Sequence, residues 1–143
     1  MLRSDVERKM LLGKDEHEKL PENAYSPAVT AQVYATITDK ARRALAAGHS
    51  AVVDAVFARP QERAAAAASA EILGVPFLGL FLAADLDTRV ARVSGRGRDA
   101  SDADAAVARR QESYDLGALD WVRIDASGSP EETFARARTA MGQ

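Results

Sequence analysis

A short apolar run with one acid near its end reads Ser50-Ala-Val-Val-Asp54-Ala-Val-Phe57. This pattern is typical of a buried strand, because strands covered on both faces are apolar almost throughout. A second apolar run, Pro76-Phe-Leu-Gly-Leu-Phe-Leu82, predicts another strand of this kind. Between them, the alanine-rich segment from Arg59 to Leu73 predicts a helix that stops at Gly74. A strand, a helix and a strand in this order indicate an α/β domain with a parallel sheet flanked by helices.

The alternation of helices and strands continues on both sides of this unit. The further predicted elements are a strand ending at Leu2, a helix from Val6 to Leu12 capped by Asp5, a helix from Pro27 to Gly48 capped by Ser26, a helix from Leu86 to Ser94, a helix from Ser101 to Tyr114, a strand from Trp121 to Ile124, and a C-terminal helix capped by Ser129. No linker, repeat or low-complexity tract divides residues 1–143. We therefore expect a single domain.

The composition is that of an ordinary folded domain. The chain has 143 residues, of which 47% are hydrophobic and 28% charged, enough to bury a core. Nineteen basic and 21 acidic side chains give a net charge of -2, which disfavours a nucleic-acid-binding module or a membrane-surface protein. The chain has no cysteine, so disulfides and thiolate metal sites are excluded. With no apolar run of about 20 residues and no signal peptide, we expect a cytoplasmic protein.

Three motifs stand in a fixed order along the chain: Leu2-Arg-Ser-Asp5-Val-x-Arg8-Lys9, then Ala46-Ala-Gly-His49-Ser-Ala-Val-Val-Asp54-Ala-x-Phe57-x-Arg59, then Asp99-Ala-Ser-Asp102-Ala-Asp-Ala. Together they resemble the P-loop kinase-like group that includes zeta toxins, chloramphenicol phosphotransferase and polynucleotide kinase. The likeness is greatest to the ATP-binding domain that many bacteria fuse to an aminoglycoside-phosphotransferase-like domain. It implies a P-loop NTPase-like three-layer sandwich, ATP and Mg²⁺ as cofactors, and a small-molecule acceptor.

The resemblance places the acceptor beside the first motif. It implies that Asp5 holds or deprotonates the acceptor hydroxyl and that Arg8 and Arg59 bind the acceptor. Each residue also has a plainer interpretation. Asp5 suits a helix N-cap, Arg8 a solvated surface position, and Arg59 an exposed helix-face pair with Arg63.

Asp54 is the candidate metal ligand. Four apolar or small residues followed by an acid match the Walker B pattern, in which the carboxylate reaches Mg²⁺, usually through water. An acid inside an apolar strand is expected to be buried, and an unpaired buried carboxylate is costly. The alternative to a metal is a structural ion pair with Arg59 or Arg63.

A cluster of arginines follows the second strand. The candidate lid that neutralises the transferring phosphoryl group consists of Arg89, Arg92, Arg96 and Arg98. Gly95 and Gly97 are its predicted hinges, and Arg96 and Arg98 are its candidate catalytic residues. The resemblance adds three nucleotide-binding positions, namely Arg92, Ser127 and Gly128. The alternatives are one solvated helix face for the arginines and an ordinary strand-to-helix turn for Ser127 and Gly128.

The chain departs from this family pattern in one respect. No Gly-x-x-x-x-Gly-Lys-Ser/Thr sequence occurs, and in the only Gly-Lys pair, Gly13-Lys14, Arg8 stands where the first glycine belongs. The backbone of that loop cradles the β- and γ-phosphates. We therefore expect a kinase-family domain whose activity as this polypeptide is impaired. The alternative is a degenerate, non-catalytic relative that binds a ligand or partner.

The missing phosphate loop has a consequence for the sheet. The family's strand order places the strand that precedes this loop between the strand ending at Asp54 and the strand ending at Leu82. Without it, two sheet edges are open, and open edges pair or aggregate. We expect these two strands to pair directly or the gap to be filled by another chain, which includes self-association.

Overall fold

The computed structural model describes residues 1–95, 97 and 99–142. It has an α/β architecture in which short parallel sheets are flanked by helices, as the sequence predicts. The chain forms two compact units. Unit 1 comprises Met1–Pro76 and Gly97–Asp102, and unit 2 comprises Phe77–Arg96 and Ala103–Gln143.

Unit 1 contains two strands and three α-helices. In chain order they are β1 (Leu2–Arg3), α1 (Ser4–Leu11), α2 (Pro27–Ala46), β2 (Val53–Asp54) and α3 (Pro60–Ile72), with a 3₁₀ turn at Glu22–Tyr25 before α2. The two strands are parallel, and Leu2 pairs with Val53 and Arg3 with Asp54. Both strands therefore end at the same edge of this sheet.

The core of unit 1 is built on α2. Ser26 caps this helix by accepting a hydrogen bond from the Val29 N–H at 3.4 Å, and Pro27 occupies its first turn. Val33, Ile37 and Ala41 recur at every fourth residue and are buried. This confirms the amphipathic helix that the sequence predicts.

Unit 2 also pairs two parallel strands. Its elements are β3 (Leu80–Ala83), α4 (Leu86–Ser94), α5 (Ala105–Gln111), β4 (Val122–Asp125) and α6 (Pro130–Ala140), and Leu80 of β3 pairs with Val122 of β4. Position 79, directly before β3, requires a glycine, because the Trp121 ring occupies the space that a side chain would fill. A Cβ on Gly79 would lie 2.3 Å from the indole.

Most predicted elements are confirmed, and α4 has the predicted bounds. Two predicted caps are wrong. Asp5 lies inside α1, whose N-cap is Arg3, and α5 is capped by Asp104 rather than by Ser101. The strand pairs found among residues 1–95, 97 and 99–142 are β1 with β2 and β3 with β4. Direct pairing of β2 with β3, one of the two expected arrangements, is therefore not found among these residues, and the other, a gap filled by another chain, stays a prediction. Within the same residues, no helix is both long and apolar enough to cross a membrane.

Candidate functional site

The carboxyl edge of the β1–β2 sheet brings two candidate site residues together. Asp54 is the last residue of β2, and Asp5 lies in the first turn of α1, directly after β1. Ligands of open α/β sheets bind at this edge, because the loops that follow the strands converge there. The predicted placement of both acids at one sheet edge is confirmed.

Asp54 is not buried, contrary to the expectation for an acid in an apolar strand. Its side chain is 59% exposed, because β2 ends at this residue. Its carboxylate Oδ2 lies 3.3 Å from Nε of Arg3. The structural partner of Asp54 is therefore Arg3, not Arg59 or Arg63.

Arg3 links Asp54 to the third motif. Its Nη2 donates to Oδ1 of Asp99 at 2.8 Å, and the same carboxylate oxygen accepts the Ser101 N–H at 2.9 Å. One guanidinium thus holds two carboxylates from distant parts of the sequence. This arrangement fixes residues 99–101 at the carboxyl edge of the β1–β2 sheet.

Asp5 lies in a mostly desolvated position with a polar partner. Burial raises the pKa of its carboxyl above the ordinary value of 3.8, although the hydrogen bond from the Ser101 side chain and the charge of Arg3 act in the opposite direction. Asp5 does not cap α1, because it lies inside that helix, whose N-cap is Arg3. Its carboxyl is a proton acceptor whose affinity for a proton exceeds that of an exposed aspartate.

Arg8 is buried rather than solvated, with 6% of its surface exposed. Its Nη1 donates to the Ala24 carbonyl at 2.9 Å and to Oγ1 of Thr30 at 3.3 Å. Its guanidinium carbon lies 4.8 Å from the centre of the Tyr25 ring, a cation–π arrangement. The buried Nε of Arg8 has no hydrogen-bond partner among the described residues. An unsatisfied buried donor is costly, and this Nε–H is covered by protein atoms.

Arg59 and Arg63 do not form one exposed pair. Arg59 is exposed and is the N-cap residue of α3, and its backbone N–H donates to Oε2 of Glu62 at 3.1 Å. Arg63 is 2% exposed, and its Nη1 donates to the Phe57 carbonyl at 2.8 Å. Phe57 has a φ of 47°, which is unusual for a residue with a side chain. Arg63 therefore holds the turn that follows β2.

The candidate nucleotide-binding residues lie in unit 2, at the turn between β4 and α6. Arg92 donates to the backbone carbonyls of Ala126 and Gly128, and the Ser127 N–H donates to Oδ1 of Asp125 at 2.9 Å. The Arg92 guanidinium is thus used to shape this turn. The predicted catalytic residues Arg96 and Arg98 lie outside the described residues.

Asp54 is suited to supply one ligand of a Mg²⁺ ion, whose other ligands would be phosphate oxygens and water. Among residues 1–95, 97 and 99–142, no group of three or more His, Asp or Glu side chains is arranged to hold a metal ion. Mg²⁺ in phosphoryl-transfer sites is held by one or two carboxylates together with phosphate oxygens and water. Asp54, an exposed carboxylate at the end of β2, is suited to be one of these carboxylate ligands.

The sequence interpretation gave no role to Lys9, Asp102 and Tyr25. Lys9 and Asp102 nevertheless lie in the first and third motifs. Lys9, 1% exposed, donates from Nζ to Oδ1 of Asp102 at 3.0 Å. Oδ2 of Asp102 accepts the hydroxyl of Tyr25 at 2.6 Å. No local pattern predicts the burial of Lys9, since the buried residues of α1 are Glu7, Arg8 and Lys9. A buried lysine requires a partner, and Asp102 is that partner.

Comparison with curated proteins finds three relatives that share 33% identity with this chain over 122 residues. They are uncharacterized proteins of Mycobacterium bovis and of two strains of Mycobacterium tuberculosis. In each case the aligned region covers 82% of this chain and 24% of the relative. The chain thus spans about a quarter of the length of the curated relatives it matches. No solved structure matches the chain.

A family model described as an AAA domain matches residues 1–115. The match includes β1, α1, β2 and α3, and therefore both acids at the carboxyl edge of the β1–β2 sheet. It also includes the Asp99-Ala-Ser-Asp102 segment that Arg3 and Lys9 bind. The chain therefore belongs to this AAA domain family, a P-loop NTPase-like family of kinase type.

Proposed function

We propose that this chain is part of an ATP-dependent small-molecule kinase, in which the γ-phosphoryl group of Mg-ATP passes to a hydroxyl of the acceptor. The observation that supports this proposal most is the pair Asp5 and Arg8 on consecutive turns of α1, at the carboxyl edge of the β1–β2 sheet. A carboxylate and a guanidinium at that edge are suited to hold a hydroxyl and an adjacent polar group of one molecule.

In this proposal Asp5 is the general base. A base works best when its pKa approaches the working pH, and burial raises the pKa of Asp5 in that direction. Ser101, which hydrogen-bonds the carboxyl, orients it. Arg8 and the exposed Arg59 are the proposed acceptor contacts.

Asp54 takes the metal-binding role. Mg²⁺ bound at Asp54 neutralises phosphate charge, and the Arg3 guanidinium, 3.3 Å from the carboxylate, holds the carboxylate in place. Arg92, Ser127 and Gly128 are proposed to contact the nucleotide, and Arg96 and Arg98 to neutralise the transferring group. These roles follow the resemblance to P-loop kinases.

The phosphate-binding loop is not among the 143 residues, since they contain no Gly-x-x-x-x-Gly-Lys-Ser/Thr sequence. Most of the phosphate affinity of such sites comes from that loop, its lysine and the following helix N-terminus. We therefore propose that these residues alone bind Mg-ATP weakly and transfer no phosphate. An in-frame sequence of this type, translated from the DNA upstream of Met1, would supply the loop.

The domains, location and partners of the whole protein that contains this chain are also proposals. The resemblance suggests a fused aminoglycoside-phosphotransferase-like domain, a cytoplasmic location, and no nucleic-acid or membrane partner. The open edges of the two sheets suggest self-association where no further strand covers them.

The test is phosphotransfer by a chain that includes the upstream strand and loop. Radiolabelled ATP is offered with a panel of sugars, aminoglycosides and nucleosides, and phosphorylated product is measured. We expect transfer to at least one acceptor, and at least a hundredfold slower transfer by Asp5→Asn with Mg-ATP affinity retained, since a general base contributes about 10²–10⁴-fold. Asp115→Asn, whose carboxylate accepts the Gly117 N–H in unit 2, is the matched control. Transfer unaffected by Asp5→Asn would overturn the proposed base, and Mg-ATP binding without any transfer would favour the degenerate relative.

A further inference from the structure

The carboxylate of Asp102 is the meeting point of three segments of unit 1. Its Oδ1 accepts from Nζ of Lys9 at 3.0 Å. Its Oδ2 accepts both the Leu20 N–H at 2.9 Å and the Tyr25 hydroxyl at 2.6 Å. The Asp102 side chain is 11% exposed. Both oxygens are thus used, and they join α1, the loop after α1 and residues 99–102.

The loop of residues 14–25 depends on these contacts for its position. Only two of its residues, Leu20 and Ala24, are buried, so apolar packing holds little of it. Lys9, which Asp102 orients, also donates to the Glu16 carbonyl at 2.9 Å. The loop is therefore held by polar contacts, which run from Asp102 and Lys9 to Leu20, Tyr25 and Glu16 and from Arg8 to the Ala24 carbonyl.

Two contacts connect Asp102 to the candidate acceptor site. The ring of Tyr25, whose hydroxyl Asp102 accepts, lies against the guanidinium of Arg8 at 4.8 Å. The residue before Asp102 is Ser101, which hydrogen-bonds the carboxyl of Asp5. Asp102 thus helps to position Tyr25, which contacts Arg8, and the neighbouring Ser101, which hydrogen-bonds Asp5.

The charge state of Asp102 agrees with this role. Burial alone would raise its pKa, but hydrogen bonds from Tyr25, the Leu20 N–H and Lys9 outweigh burial and lower the pKa below 3.8. The carboxylate is therefore ionised at neutral pH and available to all three donors.

We propose that Asp102 is a positioning residue that holds the loop 14–25 closed over Arg8, so that Tyr25 forms one wall of the ligand site. The identity of the ligand rests on the proposed function, whereas the closed loop does not. Release of the Asp102 carboxylate would free the Tyr25 ring and open Arg8 to solvent.

The test uses nuclear magnetic resonance on the 143-residue chain without any ligand. In Asp102→Asn the single amide oxygen cannot accept from Leu20, Tyr25 and Lys9 together, the NH₂ group that replaces the other oxygen faces a donor, and the neutral amide no longer attracts Lys9. We expect exchange of the Leu20 N–H to rise about tenfold or more, since local opening exposes this amide. We also expect the Arg8 Nε–H resonance to lose the shift caused by the Tyr25 ring.

Two controls separate loop positioning from general stability. Exchange of Leu20 in Asp102→Asn should depend little on urea, because local opening of the loop exposes little surface, whereas exchange of Val33 and Ile37, which are buried in α2, should rise steeply with urea because it requires global unfolding. Asp104→Asn replaces the N-cap of α5 with an equally good cap and should alter neither Leu20 exchange nor the Arg8 resonance. The proposal is wrong if Leu20 exchange and the Arg8 resonance stay unchanged in Asp102→Asn, or if Leu20 exchange in this variant depends on urea as steeply as that of Val33 and Ile37.

Tyr25→Phe provides a milder variant in case Asp102→Asn does not fold. It removes one hydrogen bond and keeps the ring, so Leu20 exchange should rise about threefold with the Arg8 shift largely retained. Unchanged exchange in this variant would count against the proposal. Because these readouts need neither nucleotide nor acceptor, their failure is distinct from failure of the proposed kinase function.

Discussion

Unit 1 and unit 2 differ in how deeply their charged side chains are buried. Among the described residues, the buried charged side chains all belong to unit 1, and they are Glu7, Arg8, Lys9 and Arg63. The described charged side chains of unit 2 are exposed or half-buried, and Arg92 and Arg136 donate to backbone carbonyls around the β4–α6 turn. Burying a charge is costly unless it is paired, so the buried charges of unit 1 are held in fixed positions. The buried charged groups of unit 1 are therefore preorganised, whereas most of the described charged groups of unit 2 remain accessible to water.

The largest expected effect is that of Lys9→Met. It leaves the nearly buried Asp102 carboxylate without its cation, and breaking a buried pair in this way costs about 3–5 kcal/mol. The matched control is Lys14→Met, because Lys14 pairs with Glu18 on the surface, where such pairs contribute about 0–1 kcal/mol. Urea denaturation measures both. Equal losses of unfolding free energy in Lys9→Met and Lys14→Met would contradict the distinction between buried and exposed ion pairs.

The next effect is that of Arg63→Met. It removes the bonds to the Phe57 and Ala58 carbonyls, which stabilise the turn after β2, and should lower the free energy of unfolding by about 2 kcal/mol. Arg59→Met, at an exposed position four residues earlier, should lower it by no more than about 0.5 kcal/mol. Similar losses would mean that Arg63 does not hold the turn.

A smaller effect of the opposite sign is expected for Asp5→Asn. Because burial raises the pKa of Asp5, the native state keeps the proton at pH values where the unfolded chain has lost it. The free energy of unfolding of the wild type therefore falls as the pH rises from about 3.8 through the native pKa. Asp5→Asn lacks this loss, so it should be more stable at pH 7 and equal to wild type at low pH. Stability curves that run parallel at all pH values would contradict this.

The smallest effect is expected in unit 2. Arg92→Ala removes two bonds to an exposed turn, where water replaces them, and should cost no more than about 1 kcal/mol. Amide exchange in the turn at Ser127 should rise, whereas exchange in α2 of unit 1 should not change. A loss as large as that of Lys9→Met would show that the two units do not differ in this respect.

The sequence predicts the elements well where local signals are strong. Ser26-Pro27 and Ser129-Pro130 mark the starts of α2 and α6, and the Val33-to-Ala41 stripe gives the buried face of α2. The sequence also places Asp5 and Asp54 at one sheet edge, because parallel strands end together. The bounds of β2 could not be predicted, because its length depends on pairing with the two-residue β1.

The contacts of the site could not be predicted from local patterns. Arg3 reaches Asp99, 96 positions away, and Lys9 reaches Asp102, 93 positions away. No periodicity within a helix or strand reports pairs this distant. For the same reason Asp54 was assigned Arg59 or Arg63 as an ion-pair partner, whereas Arg3 in the neighbouring strand is the partner.

We propose that these residues contain the acceptor and metal side of a kinase site but not its phosphate loop. Isothermal titration calorimetry with Mg-ATP tests it on two chains, the 143 residues alone and the same residues with the upstream strand, loop and helix. We predict millimolar or unmeasurable affinity for the first chain and micromolar affinity for the second, since the loop's N–H groups and lysine bind the phosphates. Micromolar binding by the 143-residue chain, or no binding by the longer one, would contradict the account.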